Sequence, residues 1–329
     1  MTGYHKILSC LFAFLLIGFV ENVSALTISD YPELEELIQT MVKEDNYPED
    51  QLRAVIASAS INQNTLELMD RQWEAAPWHK YRKLFINNKR IRNGVEFWNK
   101  HQMVLKKAEV EFGVPASVIT SVIGIETHYG KRKGKSNILD SLVTLTAAYP
   151  RRSKYFKDEL RVFLNLVRRE SIEPNSVYGS FAGAIGIPQF MPSSYENYSV
   201  DFNGNGTRDL VNEVEDAVGS VANYLVNHGW QAGQAIYSEV QGNLPVSAQE
   251  FVGRSAKPIY KIEDLENLGI QFNSKQASQK VALVKLSLHD GKYRYIVAFN
   301  NLYVITRYNN SINYSMAVSE LAEEIENRR

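Results

Sequence analysis

The segment Pro115-Ala-Ser-Val-Ile-Thr-Ser-Val-Ile-Gly-Ile-Glu-Thr-His-Tyr-Gly130 carries one carboxylate, Glu126, inside an otherwise apolar pattern. Ile119, Val122, Ile123 and Glu126 recur at i, i+3, i+4 and i+7, so a helix puts all four on one face. An acid on a core-facing stripe loses hydration, which disfavours its charged form and raises its pKa. That suits a general acid working near neutral pH. A buried glutamate satisfied by a hydrogen bond or an ion pair is the equal alternative from this helix alone.

The first residues stand apart from the fold. Met1–Lys6 is weakly basic, Ile7–Val20 is apolar, and Val23-Ser-Ala25 supplies the small residues of a cleavage site. Residues 1–25 therefore read as a signal peptide, with the mature chain starting at Leu26. The apolar run is shorter than the roughly 20 residues that span a bilayer, and an uncleaved membrane tether is the alternative. Cys10, the only cysteine, sits inside the apolar run and not after it, so the chain does not read as a lipoprotein. Cleavage would leave no thiol, which excludes disulfides, thiolate metal sites and cysteine nucleophiles together. About 300 residues suffice for a large core or two to three domains. The net charge of -1 argues against nucleic-acid binding, which wants a basic domain. Lys131-Arg-Lys-Gly-Lys135 is the local exception, a solvated loop or an attractor for an acidic polymer passing the Glu126 helix.

Patterning predicts a mainly α chain (α+β overall). Ser29–Gln72 reads as helical, with Pro32 just inside a Ser29/Asp30 cap and Leu34, Leu37, Ile38 and Met41 at helical spacing. Pro48 starts a second helix, with Leu52, Val55, Ile56 and Ala59 on one face. Asn93–Phe112, Asp140–Ala148, Lys154–Glu170, Glu213–His228 and Ser315–Arg329 are further helical stretches. Pro174–Ser194, rich in Gly, Ser, Ala and Pro, suits close approach of backbone to a ligand. Val281–Leu288 and Tyr293–Phe299 alternate apolar and polar around a turn at His289-Asp-Gly291, which predicts a β-hairpin. The expected division is an α N-terminal part at 26–112, a catalytic core at 113–241, a small β-rich domain at 242–300, and a return to the core at 301–329.

Five motifs occur in one order: Gly124-Ile-Glu-Thr-His-Tyr-Gly130, Tyr149-Pro-Arg-Arg152, Gly179-Ser-Phe-Ala-Gly-Ala184, Gln189-Phe-Met-Pro-Ser-Ser-Tyr195 and Thr306-Arg-Tyr-Asn309. Together they resemble the membrane-bound lytic murein transglycosylase B family, over about residues 30 to 325. The resemblance implies a lysozyme-like catalytic core that cleaves the β-1,4 bond between N-acetylmuramic acid and N-acetylglucosamine, leaving a 1,6-anhydro sugar. It implies that Glu126 is the single acid/base, that no cofactor is needed for catalysis, and that the enzyme works on glycan strands in the periplasm. Other cell-wall enzymes enter as expected partners. Ordinary glycosidases use two carboxylates. The resemblance implies that the substrate's own C6 hydroxyl would be the nucleophile, so that one acid would suffice. Asp140, Glu170 and Glu173 stay open as second carboxylates.

The same resemblance places Ser180 and Asn309 beside Glu126 and Gln189 on the sugar. Tyr308, Tyr314, Phe190, Met191 and Tyr195 would shape the cleft, in keeping with the aromatic faces and amide donors that sugar sites use. Core packing is the alternative for each aromatic. Arg151 and Arg152 would meet acidic parts of the substrate, or form structural ion pairs instead. A lysozyme-type hydrolase and a non-catalytic peptidoglycan-binding module are the competing functional readings.

Asp201-Phe-Asn-Gly-Asn-Gly-Thr-Arg-Asp209 matches the start of an EF-hand loop, with oxygen side chains at positions 1, 3 and 5 and Gly at 6. Position 12 is Asn212, not the usual bidentate Glu. The resemblance implies that a later carboxylate, Asp216, closes the loop. Asp201, Asn203, Asn205, Thr207 and Asp216 thus form the expected set for a structural Ca2+ or Na+, with a Gly/Asn-rich turn that binds nothing as the alternative. His128 follows Glu126 by two residues and falls on another helix face. No H-E-x-x-H pattern or G-x-S-x-G elbow occurs.

Overall fold

The structure, a computed structural model, describes residues 26–70, 76–273 and 280–329. The signal region expected at 1–25, and Gln72 at the end of the first helical stretch, lie outside the described residues. Pro32 occupies the first position of α1 (Pro32–Glu44), where a missing N–H costs nothing, and Leu34, Leu37, Ile38 and Met41 bury along one face. The expected Ser29/Asp30 cap is instead a 3-10 turn, Ile28–Asp30, which leaves Tyr31 as the N-cap residue. α2 (Glu49–Ala57) buries Leu52 and Ile56. α3 (Gln63–Met69) is capped by Asn62, whose side chain accepts from Thr65 N at 3.2 Å.

α4 (Trp78–Phe85) buries Trp78 and Tyr81. The single helix expected at Asn93–Phe112 is two, α5 (Asn88–Lys100) and α6 (Gln102–Phe112). His101 breaks the run with φ -112° and ψ 25°, and its ring packs 4.7 Å from that of Phe97. Phe97 and Leu105 reach one core from the two sides of this break. Gly113 ends α6 at φ +67°, a conformation that favours glycine. α7 (Ala116–Thr127) then runs through the middle of the molecule, buried from Ala116 to Gly124 and again at Thr127.

α8 (Ile138–Ala148) and α9 (Ser153–Arg169) pack with α1 and α2 around Leu34, Ile38, Leu139, Phe156 and Phe163. Arg161 ties this unit together by donating to both carboxylate oxygens of Asp45. Strands β1 (Ser136–Asn137) and β2 (Tyr178–Gly179) pair antiparallel, with Ser136 opposite Gly179. After α10 (Pro192–Tyr198) and α11 (Val214–Asn227) the chain enters a five-stranded sheet. Its order is β3 (Tyr237–Glu239), β7 (Tyr293–Ala298), β6 (Lys280–Ser287) and β4 (Val252–Gly253), with β5 (Tyr260–Lys261) also pairing β6. The short α12 (Ile262–Asn267) follows β5.

The predicted hairpin is β6 and β7, in register from Ala282 opposite Ala298 to Ser287 opposite Tyr293. Both faces of β6 are covered, however. Ala282, Val284 and Leu286 pack with Trp78 and Tyr81, while Val281 and Leu283 pack with Ala248 and Leu265. α13 (Asn300–Tyr308) and α14 (Ile312–Asn327) return to the centre. There α14 lies along α7, fastened by Ser121 Oγ donating to Val318 O at 2.7 Å. Among the described residues no single helix is long and apolar enough to cross a membrane. Only the pair α6 and α7, bent by 116°, passes such a test, and its α7 is a buried core helix.

Candidate active site

The stripe of Ile119, Val122 and Ile123 is fully buried, and Glu126 continues it to the half-buried end of α7. At that end the helix is held from several sides. Thr127 Oγ donates to Ile187 O at 2.8 Å and accepts from Gly130 N at 3.0 Å. Arg90 Nη1 donates to the Gly124 carbonyl, and Tyr129 O–H donates to Arg90 O at 2.8 Å. Gly124 has no room for more, since a Cβ there would lie 2.6 Å from the Tyr129 ring. His128 leaves the helix at φ 53° and meets Asn93 at 3.0 Å, away from the face that carries Glu126.

Tyr314, from α14, donates its phenol O–H to Glu126 Oε1 at 2.5 Å. Its ring lies nearly parallel to that of Tyr308, centroids 6.3 Å apart. Tyr308 in turn donates to Pro188 O at 2.6 Å and packs against Phe190 and Tyr224, at 5.8 and 4.8 Å. Burial, and then the nearby Glu126 carboxylate, push both Tyr308 and Tyr314 phenols well above the usual range. Tyr314 therefore keeps its proton and acts only as a donor to Glu126.

The Gly-rich segment forms the adjoining wall. Gly134 lets β1 pass close to β2, because a Cβ would sit 1.9 Å from Gly179 O. Ser180 turns inward: its Oγ accepts from Ala184 N at 2.9 Å and its N–H donates to Ala184 O at 2.9 Å. Gln189 adopts φ 52° and donates its side-chain N–H to Gly186 O at 2.8 Å and Lys133 O at 3.1 Å. Its amide oxygen is not used in these bonds. Phe190 is only 2 % exposed, so core packing accounts for it, as the alternative reading had it. Met191 packs against the α1–α8–α9 core. Tyr195, pushed up to about 12 by burial, donates its O–H to Arg208 O. Asn309 closes α13, and its carbonyl accepts from Ser311 N at 2.7 Å.

Arg151 and Arg152 sit at the α8–α9 corner. Arg151 lies 3.6 Å from Asp70, and Arg152 stacks over Tyr155 at 4.4 Å. Both thus have structural partners. Of the other carboxylates, Asp140 accepts from Ser60 N at 2.8 Å, and Glu170 pairs with Arg208 at 3.1 Å. Thr127, Arg90 and Tyr224 are site-building residues that sequence reasoning missed. Thr127 could have been found from its place directly after the acid, but nothing local marks the other two.

The Asp201 loop lies beside this wall. Leu210 O accepts from Ile187 N at 2.7 Å, and Val211 O from Lys133 Nζ at 2.7 Å. Asp201 Oδ1 accepts from Gly204 N and Asn205 N, and Oδ2 from Gly206 N. Asp216 is fully buried. Its Oδ1 accepts from Phe202 N and Asn203 N, and its Oδ2 from Asp209 N. No group of three or more His, Cys, Asp or Glu converges among the described residues. A cation on this loop would be held by carboxylate and carboxamide oxygens, a hard donor set that suits Ca2+.

The chain matches the transglycosylase SLT domain family over residues 29–323. Membrane-bound lytic murein transglycosylase B of Escherichia coli (strain K12) is 38% identical over 305 residues, covering 89% of this chain and 82% of that protein. The soluble lytic transglycosylase SltB1 from Pseudomonas aeruginosa superposes with a TM-score of 0.83 at 40% identity, covering 89% of this chain and 98% of that one. The Escherichia coli lytic transglycosylase Slt35 in complex with calcium superposes with a TM-score of 0.83 at 38% identity, covering 94% and 98%.

Proposed function

The chain belongs to the transglycosylase SLT domain family and is a peptidoglycan-cleaving lyase of the lytic murein transglycosylase type, and from that premise we propose that Glu126 alone supplies the acid and the base. The observation that carries this reading is the Tyr314 O–H on Glu126 Oε1 at 2.5 Å. One carboxyl oxygen accepts from a phenol whose burial keeps it protonated, a fixed donor that orients the carboxyl while its acidic proton is exchanged with the substrate. In the first step the Glu126 carboxyl protonates the glycosidic oxygen as the C1–O bond breaks, and the leaving sugar departs as an alcohol. In the second, the C6 hydroxyl oxygen of the same muramyl residue attacks C1 and its proton returns to Glu126. A 1,6-anhydro ring closes, no water is consumed and the enzyme is restored. The commitment of Asp140 and Glu170 to other partners supports a mechanism with one acid.

Around this centre, Ser180, Gln189, Met191, Tyr195, Tyr308 and Asn309 are proposed to shape the sugar cleft, with Phe190 behind them. Arg151 and Arg152 would reach acidic parts of the substrate at the α8–α9 corner. The division into an α N-terminal part, a catalytic core, a β-rich unit near 242–300 and a C-terminal return belongs to the same reading. So do export, action in the periplasm, and the absence of a catalytic cofactor. Other cell-wall enzymes are the partner class to seek by co-purification.

The test is digestion of purified sacculi by the wild type and by Glu126→Gln, which keeps shape and removes proton transfer. Soluble fragments ending in anhydromuramic acid, and their loss in the variant, are expected. Reducing ends would point to hydrolysis. Binding to sacculi without release of fragments would point to a binding module, and turnover surviving in the variant would sink the assignment of Glu126.

A further inference from the structure

Two stretches of the chain carry cations and no acid. Residues 75–95 hold six Lys and Arg and residues 127–139 hold four, with no Asp or Glu in either, although the chain's net charge is -1. The fold brings these stretches together at the end of α7. Arg90 Nη1 donates to the Gly124 carbonyl, Tyr129 O–H donates to Arg90 O at 2.8 Å, and His128 meets Asn93 at 3.0 Å. His128, Tyr129 and Gly130 follow one another at φ 53°, 63° and 79°, and Arg132 N donates to Thr127 O at 2.8 Å. Lys131 and Arg132 therefore stand on a tight, hydrogen-bonded turn, while Lys89 stands on the first turn of α5. Burial, and then the charges of Arg90, Arg132, Lys131 and Lys89, hold the His128 imidazole below its usual range. All four cations thus lie within electrostatic reach of one ring.

The four do not share one explanation. Arg90 is half-buried and serves a carbonyl at the C-terminus of α7, where the helix dipole favours a cation. Lys89, Lys131 and Arg132 are exposed, and among the described residues their side chains form no ion pair or hydrogen bond. Surface arginines elsewhere are paired: Arg53 with Glu35, Arg161 with Asp45, Arg169 with Glu196. Like charges gathered without a counter-charge repel one another, and an outside anion would relieve that repulsion. The patch also lies off the reacting centre. His128 meets Asn93 on the side away from Glu126, and the turn runs on to Lys133, whose carbonyl accepts from Gln189 Nε2 at 3.1 Å. An anion held here belongs to something that extends past the cleft. We propose that Lys89, Lys131 and Arg132 form an anchoring surface for the acidic peptide stems that branch from peptidoglycan strands. The stems it holds are those of the sacculus beside the cleft, not those of the disaccharide being cleaved. This rests on the peptidoglycan reading above. The carboxylates of many stems make the sacculus a polyanion, so several weak contacts add up without a fixed pocket and keep the enzyme on the wall between cleavages.

Binding of the Glu126→Gln protein to purified sacculi tests this without any turnover. Binding should weaken steeply as salt is raised. Adding Lys89→Glu, Lys131→Glu and Arg132→Glu together should cut low-salt binding on the order of tenfold or more and flatten the salt dependence. The three side chains are exposed, so thermal melting should match the parent, and the milder triple change to Gln should give an intermediate loss. Strands freed of their stems by an amidase should bind the parent and the triple variants alike. In the enzyme that keeps Glu126, the triple change should slow digestion of sacculi but leave kcat on a soluble, stem-bearing tetrasaccharide unchanged. The proposal is overturned if both triple variants bind sacculi like the parent, or if their loss persists on stem-free strands. It is also overturned if the patch serves vesicles of anionic phospholipid and not sacculi, or if kcat on the tetrasaccharide falls, which would put the patch in the reacting site. Stem-dependent loss of binding in the Glu126→Gln background supports the anchor whether or not the wild type releases anhydro ends, so the two proposals fail separately.

Discussion

Tyr314→Phe isolates the contact on which the catalytic reading turns. The substitution removes one oxygen and leaves the ring that lies nearly parallel to Tyr308, so the packing at 6.3 Å is kept. What is lost is the O–H donated to Glu126 Oε1 at 2.5 Å. A hydrogen bond to a charged group is worth about 1.5–3 kcal/mol. A tenfold change in rate corresponds to about 1.4 kcal/mol. If most of that energy is expressed while Glu126 is the carboxylate between the two steps, kcat falls by roughly ten- to a hundredfold. KM should change less, since the phenol contacts the acid and not the sugar in this reading. The rate against pH should also move to higher pH, because a carboxylate that has lost a donor holds its proton more tightly. Tyr308→Phe is the control. Its O–H reaches the neutral Pro188 carbonyl, a bond worth about 1 kcal/mol, so stability should drop slightly while kcat stays within a few-fold. Release of soluble fragments from sacculi under saturating substrate gives kcat for all three proteins. Should Tyr314→Phe turn over like the wild type with an unmoved pH profile, the phenol is a packing group and the argument fails.

Two further outcomes concern the frame that holds the acid. Gly124→Ala puts a methyl 2.6 Å from the Tyr129 ring, so overpacking should cost about 1–3 kcal/mol in chemical denaturation. The shift of the α7 terminus should lower activity as well. At the other end of the molecule, the Arg161 guanidinium holds the Asp45 carboxyl below the usual range. Its stabilising contribution is therefore complete above the ordinary carboxylate pKa and lost as pH falls through the depressed one. Thermal melts from neutral pH toward about pH 3 should show Asp45→Asn less stable by about 1 kcal/mol at neutral pH. The difference should shrink toward the acidic end, and a constant gap would assign the effect to packing instead of charge.

Much of the helical plan was legible because it rests on local patterns. Leu34, Leu37, Ile38 and Met41 bury as their spacing predicted, and the α8, α9 and α11 boundaries fall within two residues of the expected ones. The departures are places where distant contacts override the local signal. His101 interrupts an uninterrupted amphipathic pattern. The alternation read in β6 suggests one wet face, yet α4 covers one side and the Leu265 cluster the other. A covering element far away in the chain leaves no trace in the periodicity of the strand itself.

For the site, the sequence alone determined which carboxylate ends the buried stripe of α7, and the ordered motifs pointed to its chemistry. Tertiary structure alone decided what that carboxylate touches. Tyr314 lies 188 residues from Glu126 and reaches it because α14 packs along α7. The same holds for the Asp201 loop, where the resemblance pointed to Asp216 and packing buried it against three backbone amides, while Glu213 meets the side chains of Asn203 and Asn205. Spacing says which residues share a face. Which lone pairs remain free is settled only when every neighbouring N–H has chosen its acceptor, and that choice is made across the whole fold.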